Sequence, residues 1–148
     1  MVKKIPIVAW DHIVVRVSDL ERSLKFYKEH LGFEPVVDVN IGGEGLGRIL
    51  SGHAQAPVEG AQARLVLGKV GGQLVELINF SAADKSKLDP PGIGAFTLRV
   101  ADADEAYAAC QERGLQPETK PVEIEGSKQF FIRDPDGIGI ELTQPPKP

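Results

Sequence analysis

A chain of 148 residues, 42 % apolar and 26 % charged, has the size and make-up of one compact globular domain with room for a sizeable core. Its net charge of -4 at pH 7, with no block of basic residues, argues against nucleic acid and anionic membrane as partners. No apolar run nears the roughly 20 residues that cross a bilayer. MVKKIPIVAWDH has too short an apolar stretch for a secretory leader, and the single cysteine, Cys110, has no internal partner, so a cytoplasmic protein is expected. Cys110 reads as a small buried hydrophobe and not as a nucleophile.

In chain order, residues 11–17 alternate in the manner of a strand. Leu20, Leu24, Tyr27 and Leu31 then recur at helical spacing, with Ser18 and Glu21 as a capping box and Gly32 as a stop, predicting a helix over 19–31. A strand is expected at 33–40. The glycine-rich stretch 42–60 carries a G-x-G-x-G fragment but no helix pattern after it, and it reads as a mobile loop. Two apolar strands flank the turn KVGG, residues 80–94 are rich in breakers and read as a linker, and a strand is expected over 95–100. Asp102 and Glu105 open a helix over 103–113 that Gly114 closes; a strand near 118–124 and a hairpin turning on DPDG complete the chain.

The chain contains itself twice. Residues 12–35 lie over 95–117 at an offset of 83, matching Arg16 to Arg99 and Asp19 to Asp102. Residues 64–77 lie over 129–142 at an offset of 65, matching Glu76 to Glu141. Each half reads as strand, helix, strand and hairpin. The division is therefore a first module over 1–79, a linker over 80–94 and a second module over 95–148, built as one structural unit.

Strand alternation sorts the side chains. Ile13, Val15, Val75, Leu77, Leu98, Val100, Ile140 and Leu142 are expected beneath helices. His12, Val14, Arg16, Leu74, Glu76, Ile78, Thr97, Arg99, Glu141 and Thr143 take the other face, and Phe131 adds to it. Apolar groups mixed with a few ionisable ones suit a cavity wall. A lone strand histidine is ordinarily a hydrogen-bonded structural residue, and a lone glutamate near a hairpin is ordinarily solvated; duplication of Glu76 as Glu141 favours convergence of the two acids on one hollow. A histidine and two carboxylates sharing such a space need a cation between them, either a divalent metal or Arg16 or Arg99.

DHIVVRVSDLERSLKFYKEHLGFEPV, GGQLVELINF and FFIRDPDGIGIEL resemble the glyoxalase I, bleomycin-resistance and extradiol dioxygenase superfamily, the vicinal oxygen chelate proteins, over about residues 9–144. The resemblance implies an α+β fold of two tandem βαβββ modules forming a cupped, barrel-like mixed sheet with helices on the outer face, often completed in a homodimer. It also implies metal ligands at His12, Glu76 and Glu141, with Ala95 where a further histidine is expected. His53, in the long loop, is the candidate substitute. The cofactor expected is a divalent ion, Zn, Ni, Mn, Fe or Co; the alternative left open by Ala95 is that no metal is held.

The leading functional expectation is a metal-dependent isomerase, epimerase or lyase acting on a small carbonyl compound, with Glu141 or Glu76 moving a proton beside the carbonyl. Arg16, Thr97, Arg99, Phe131, Thr143 and His53 are the candidate substrate contacts. The alternatives are a non-catalytic binder of apolar or drug-like molecules and, less in keeping with one histidine and two acids, a ring-cleaving dioxygenase. Only Arg48 stands in the 42–60 stretch, which argues against a glutathione or coenzyme A tail.

Overall fold

The computed structural model describes residues 3–51, 57–133 and 139–148. The elements are β1 (Ile7–Arg16), α1 (Leu20–Leu31), β2 (Glu34–Gly42), α2 (Glu44–Ser51), β3 (Gln62–Val70), β4 (Gln73–Ser81), a 3-10 turn (Lys85–Lys87), β5 (Gly92–Val100), α3 (Ala103–Glu112), β6 (Val122–Ile124), β7 (Ser127–Arg133) and β8 (Gly139–Gln144). The strands make one eight-stranded sheet in the order β2-β3-β4-β1-β5-β8-β7-β6, curled into a half-barrel.

The duplication is visible in the pairing. β1 runs parallel to β4 and β5 runs parallel to β8, while β1 and β5 join antiparallel at the centre. Two related halves thus share one sheet across their first strands. Each half buries a separate core under its helix on the outer face. Leu20 and Leu24 of α1 pack with Phe33, Val66 and Leu77; Ala103, Ala106 and Cys110 of α3 pack with Val100, Phe130 and Leu142. A third cluster, including Val14, Ala63, Ile78 and Ala95, lies inside the curl.

The helix ends follow local chemistry. Asp19, and not the expected Ser18, caps α1 by accepting a hydrogen bond from Arg22 N, and Gly32 closes the helix in the left-handed conformation at φ 66°. Asp102 caps α3 by accepting from Glu105 N at 2.9 Å. The strand expected over 118–124 is shorter, Val122–Ile124. The DPDG turn lies outside the described residues; β7 and β8 pair antiparallel on either side of it.

The stretch read as a loop holds a helix instead. α2 carries Leu46, Ile49 and Leu50 at i, i+3 and i+4 on the cavity side, and Leu46 is buried. Its two glycines oppose helix formation by about 1 kcal/mol each. Tertiary packing overrides that cost, because a Cβ on Gly47 would stand 2.6 Å from the Val58 carbonyl oxygen and one on Gly45 would stand 3.4 Å from that of Glu123. Val58 N donates to the Gly47 carbonyl at 2.9 Å. α2 therefore spans from β2 to β6, the two edge strands, and forms the roof of the half-barrel.

Candidate functional site in the cup

Inside the curl lies a cavity of about 370 Å³. Val14, Leu46, Leu50, Leu65, Ile78 and Phe131 give it an apolar wall, into which Asp11, His12, Glu76 and Glu141 project. Pairing explains their placement. Thr97 on β5 stands between His12 on β1 and Glu141 on β8, while Glu76 on β4 lies beside Val14, one inward-facing position along from His12.

His12 is 8 % exposed and Nδ1 lies 2.6 Å from Asp11 Oδ2. Nε2 points the other way, 3.3 Å from Thr97 Oγ1 and 3.7 Å from Glu76 Oε1. Burial would lower the His12 pKa, but the Asp11 hydrogen bond and the charges of Glu76 and Glu141 together raise it. The His12 hydrogen bond, reinforced by Arg99, holds the Asp11 carboxyl below its ordinary range against the effect of burial. Burial pushes Glu76 up. Burial and the neighbouring Glu76 push Glu141 up to about 7. Loss of solvent is the first cause of both shifts, to which the charge of Asp11 adds at Glu76 and that of Glu76 adds at Glu141.

Arg16 lines the cavity, lies over the Phe80 ring at 5.7 Å and pairs with exposed Asp89. Arg99 lines the cavity at its rim and pairs with Asp11. Phe131 and Thr143 are wall residues. Thr97 is fully buried behind the cavity lining, and its hydroxyl reaches His12 and Glu141. His53 lies outside the described residues.

Asp11 escaped the alternation argument, which assigns it to the face opposite His12. β1 has a bulge there: Trp10 pairs with Leu98 and His12 with Thr97, so two steps on β1 face one on β5. The bulge puts Asp11 inside the cup beside His12 and Trp10 outside it, stacked on Phe96 at 4.8 Å. A solvent-seeking acid next to a cup-facing histidine in an apolar strand was the available signal.

Among the described residues no group of three or more His, Cys, Asp and Glu side chains is already gathered as for a bound metal, and Ala95, buried on the cup wall, supplies no donor. The donor types are nevertheless ones that divalent ions take. One imidazole has its far nitrogen held by a carboxylate, and two raised-pKa acids face the same space.

A curled sheet of two βαβββ-related halves around a hollow lined by one histidine and two matched acids defines a class of fold and site. The family model of the Glyoxalase/Bleomycin resistance protein/Dioxygenase superfamily matches residues 9–142, and the chain belongs to that superfamily. A putative lactoylglutathione lyase of Brassica oleracea var. gemmifera is 27 % identical over 135 residues, covering 90 % of this chain and 43 % of that protein. The chain thus spans less than half the length of the lactoylglutathione lyases it matches. The uncharacterized protein YwkD of Bacillus subtilis (strain 168) is 28 % identical over 140 residues, covering 90 % of this chain and 94 % of its own. Methylmalonyl-CoA epimerase from Mycobacterium tuberculosis superposes with a TM-score of 0.71 at 23 % identity, covering 100 % of this chain and 94 % of that one, which is a likeness of fold.

Proposed function

We propose that the cup is the active site of a metal-dependent isomerase, epimerase or lyase that moves a proton at the carbon beside a carbonyl in a small, largely apolar substrate. The observation that carries this reading is the convergence of Glu141 and its matched acid Glu76, from the two halves of the sheet, on one cavity that also holds an oriented His12. His12, Glu76 and Glu141 are the residues that would hold the ion, which when bound supplies positive charge to polarise the substrate carbonyl.

The chain's own groups do the rest. Glu141 faces the cavity from β8 and can take a proton from carbon and return it; Glu76, the matched acid on β4, is the second candidate for that exchange. Leu46, Leu50 and Phe131 exclude water from the proton being moved. Arg16 and Arg99, toward opposite ends of β1, orient polar ends of the substrate. Both arginines are already paired with acids, and the wall is mostly apolar, which favours a compact uncharged body over a long anionic carrier.

A specific observation favours a second reading, a non-catalytic binder of apolar molecules: Ala95 stands on the cup wall without a donor, and the described acids and histidines are not drawn into a metal cluster. Metal content separates the two. Protein purified without added metal is expected to carry a divalent ion, and Ala95→His to hold it more tightly. Metal in the variant with none in the parent, and apolar-ligand binding that survives chelation, would transfer the assignment to the binder.

A further inference from the structure

We propose that Asp11 and Arg99 act as a positioning pair for His12, fixing its ring proton on Nδ1 so that the Nε2 lone pair is turned into the cup. The inference rests on the functional reading above for its purpose, but its geometry is independent of any bound ion.

A neutral imidazole carries one ring proton, and the tautomer is set by the stronger acceptor. Asp11 Oδ2 stands 2.6 Å from Nδ1, whereas Glu76 Oε1 stands 3.7 Å from Nε2, beyond hydrogen-bond reach. The remaining neighbour of Nε2, the Thr97 hydroxyl at 3.3 Å, also bonds Glu141 and has one proton to share between the two, so its hold on Nε2 is weaker than that of Asp11 on Nδ1. The short contact to Asp11 therefore decides for Nδ1–H, because the reverse tautomer leaves Asp11 facing a bare nitrogen at 2.6 Å.

Asp11 has its own support. Its side chain is 13 % exposed, and its second oxygen accepts from Arg99 Nη2 at 2.6 Å. Arg99, half-exposed at the rim, offsets the cost of sinking a carboxylate beside the cup. The backbone is built for this contact: without the bulge at Asp11 its side chain would leave the sheet on the helix side, and Trp10 against Phe96 secures the same bulge from outside. Backbone, counter-ion and acceptor all serve one ring orientation.

The test uses the metal-free full-length chain with 15N-labelled histidine, at pH 9, where ring nitrogen shifts distinguish the tautomers and a His12→Ala spectrum assigns the signal. The wild type is expected to carry the proton on Nδ1. Asp11→Ala is expected to move it largely to Nε2, Arg99→Ala to move it part of the way, and Asp11→Asn, which keeps an acceptor, to restore the wild-type form. Zn²⁺ affinity measured against a chelator should fall about 10- to 100-fold in Asp11→Ala and less in Asp11→Asn. A wild-type proton on Nε2, or a tautomer unchanged in both Asp11→Ala and Arg99→Ala, overturns the proposal. If Asp11→Ala does not fold, Arg99→Ala decides the matter from the exposed rim. A wild type that binds no Zn²⁺ would count against the proposed reaction, while the tautomer still decides the role of Asp11.

Discussion

Glu141 shows most sharply how one side chain's environment sets both its chemistry and its cost. Its pKa is pushed up to about 7 by burial and by Glu76, above the value in an unfolded chain, so the folded state binds the extra proton as pH falls from about 7 toward the ordinary carboxyl range. Stability is consequently present at low pH and lost as pH rises through that window, at up to about 1.4 kcal/mol per pH unit. The shift on His12 is also upward and carries the same sign. Glu141→Gln removes the ionisable group and keeps its shape. Metal-free Glu141→Gln is expected to melt higher than the parent at pH 8 and to converge with it near pH 5, while turnover falls about 10²- to 10⁴-fold. Equal melting at pH 8 would mean that Glu141 is an ordinary solvated acid.

At the scale of elements, α2 sets propensity against packing. On propensity Gly47→Ala should stabilise an eight-residue helix by about 1 kcal/mol. The contact with the Val58 carbonyl predicts the opposite, about 1–3 kcal/mol of destabilisation with α2 lifted from the cup. Gly72→Ala, which meets nothing within 4 Å, is the control. A fall in denaturant midpoint and faster amide exchange over 44–50 in Gly47→Ala only would support the packing account; identical behaviour of the two variants would end it. The same contest explains what could be read in advance. α1 and α3 have apolar stripes and caps within their own residues, so periodicity revealed them. α2 owes its helix to β6 and to residues 57–58, which no local window contains. The inward set His12, Glu76 and Glu141 followed from strand parity and duplication, whereas Asp11 was lost because a single bulged residue reverses parity. Thr97 had the right parity but lies beneath the surface that parity identifies.

For the molecule as a whole, the candidate ligands matter because of which half each comes from. His12 and Glu76 lie on β1 and β4 of the first half, Glu141 on β8 of the second, and the halves meet through β1 and β5. An ion bound by all three would tie together two separately built cores. Its stabilisation follows mass action: at 100 times its Kd it contributes about 2.7 kcal/mol, or roughly 5–10 °C in Tm for a chain of this size. Ligands must shed protons to bind, and Glu141 titrates near 7, so the increment should be larger at pH 8 than at pH 6, opposite to the trend of the metal-free protein. Thermal melts with and without Zn²⁺ or Mn²⁺ at the two pH values measure this directly, with Glu141→Gln expected to shrink the increment at pH 8. A metal-induced rise that is the same at both pH values and survives Glu141→Gln would remove the second half from the site and leave any bound ion to His12 and Glu76.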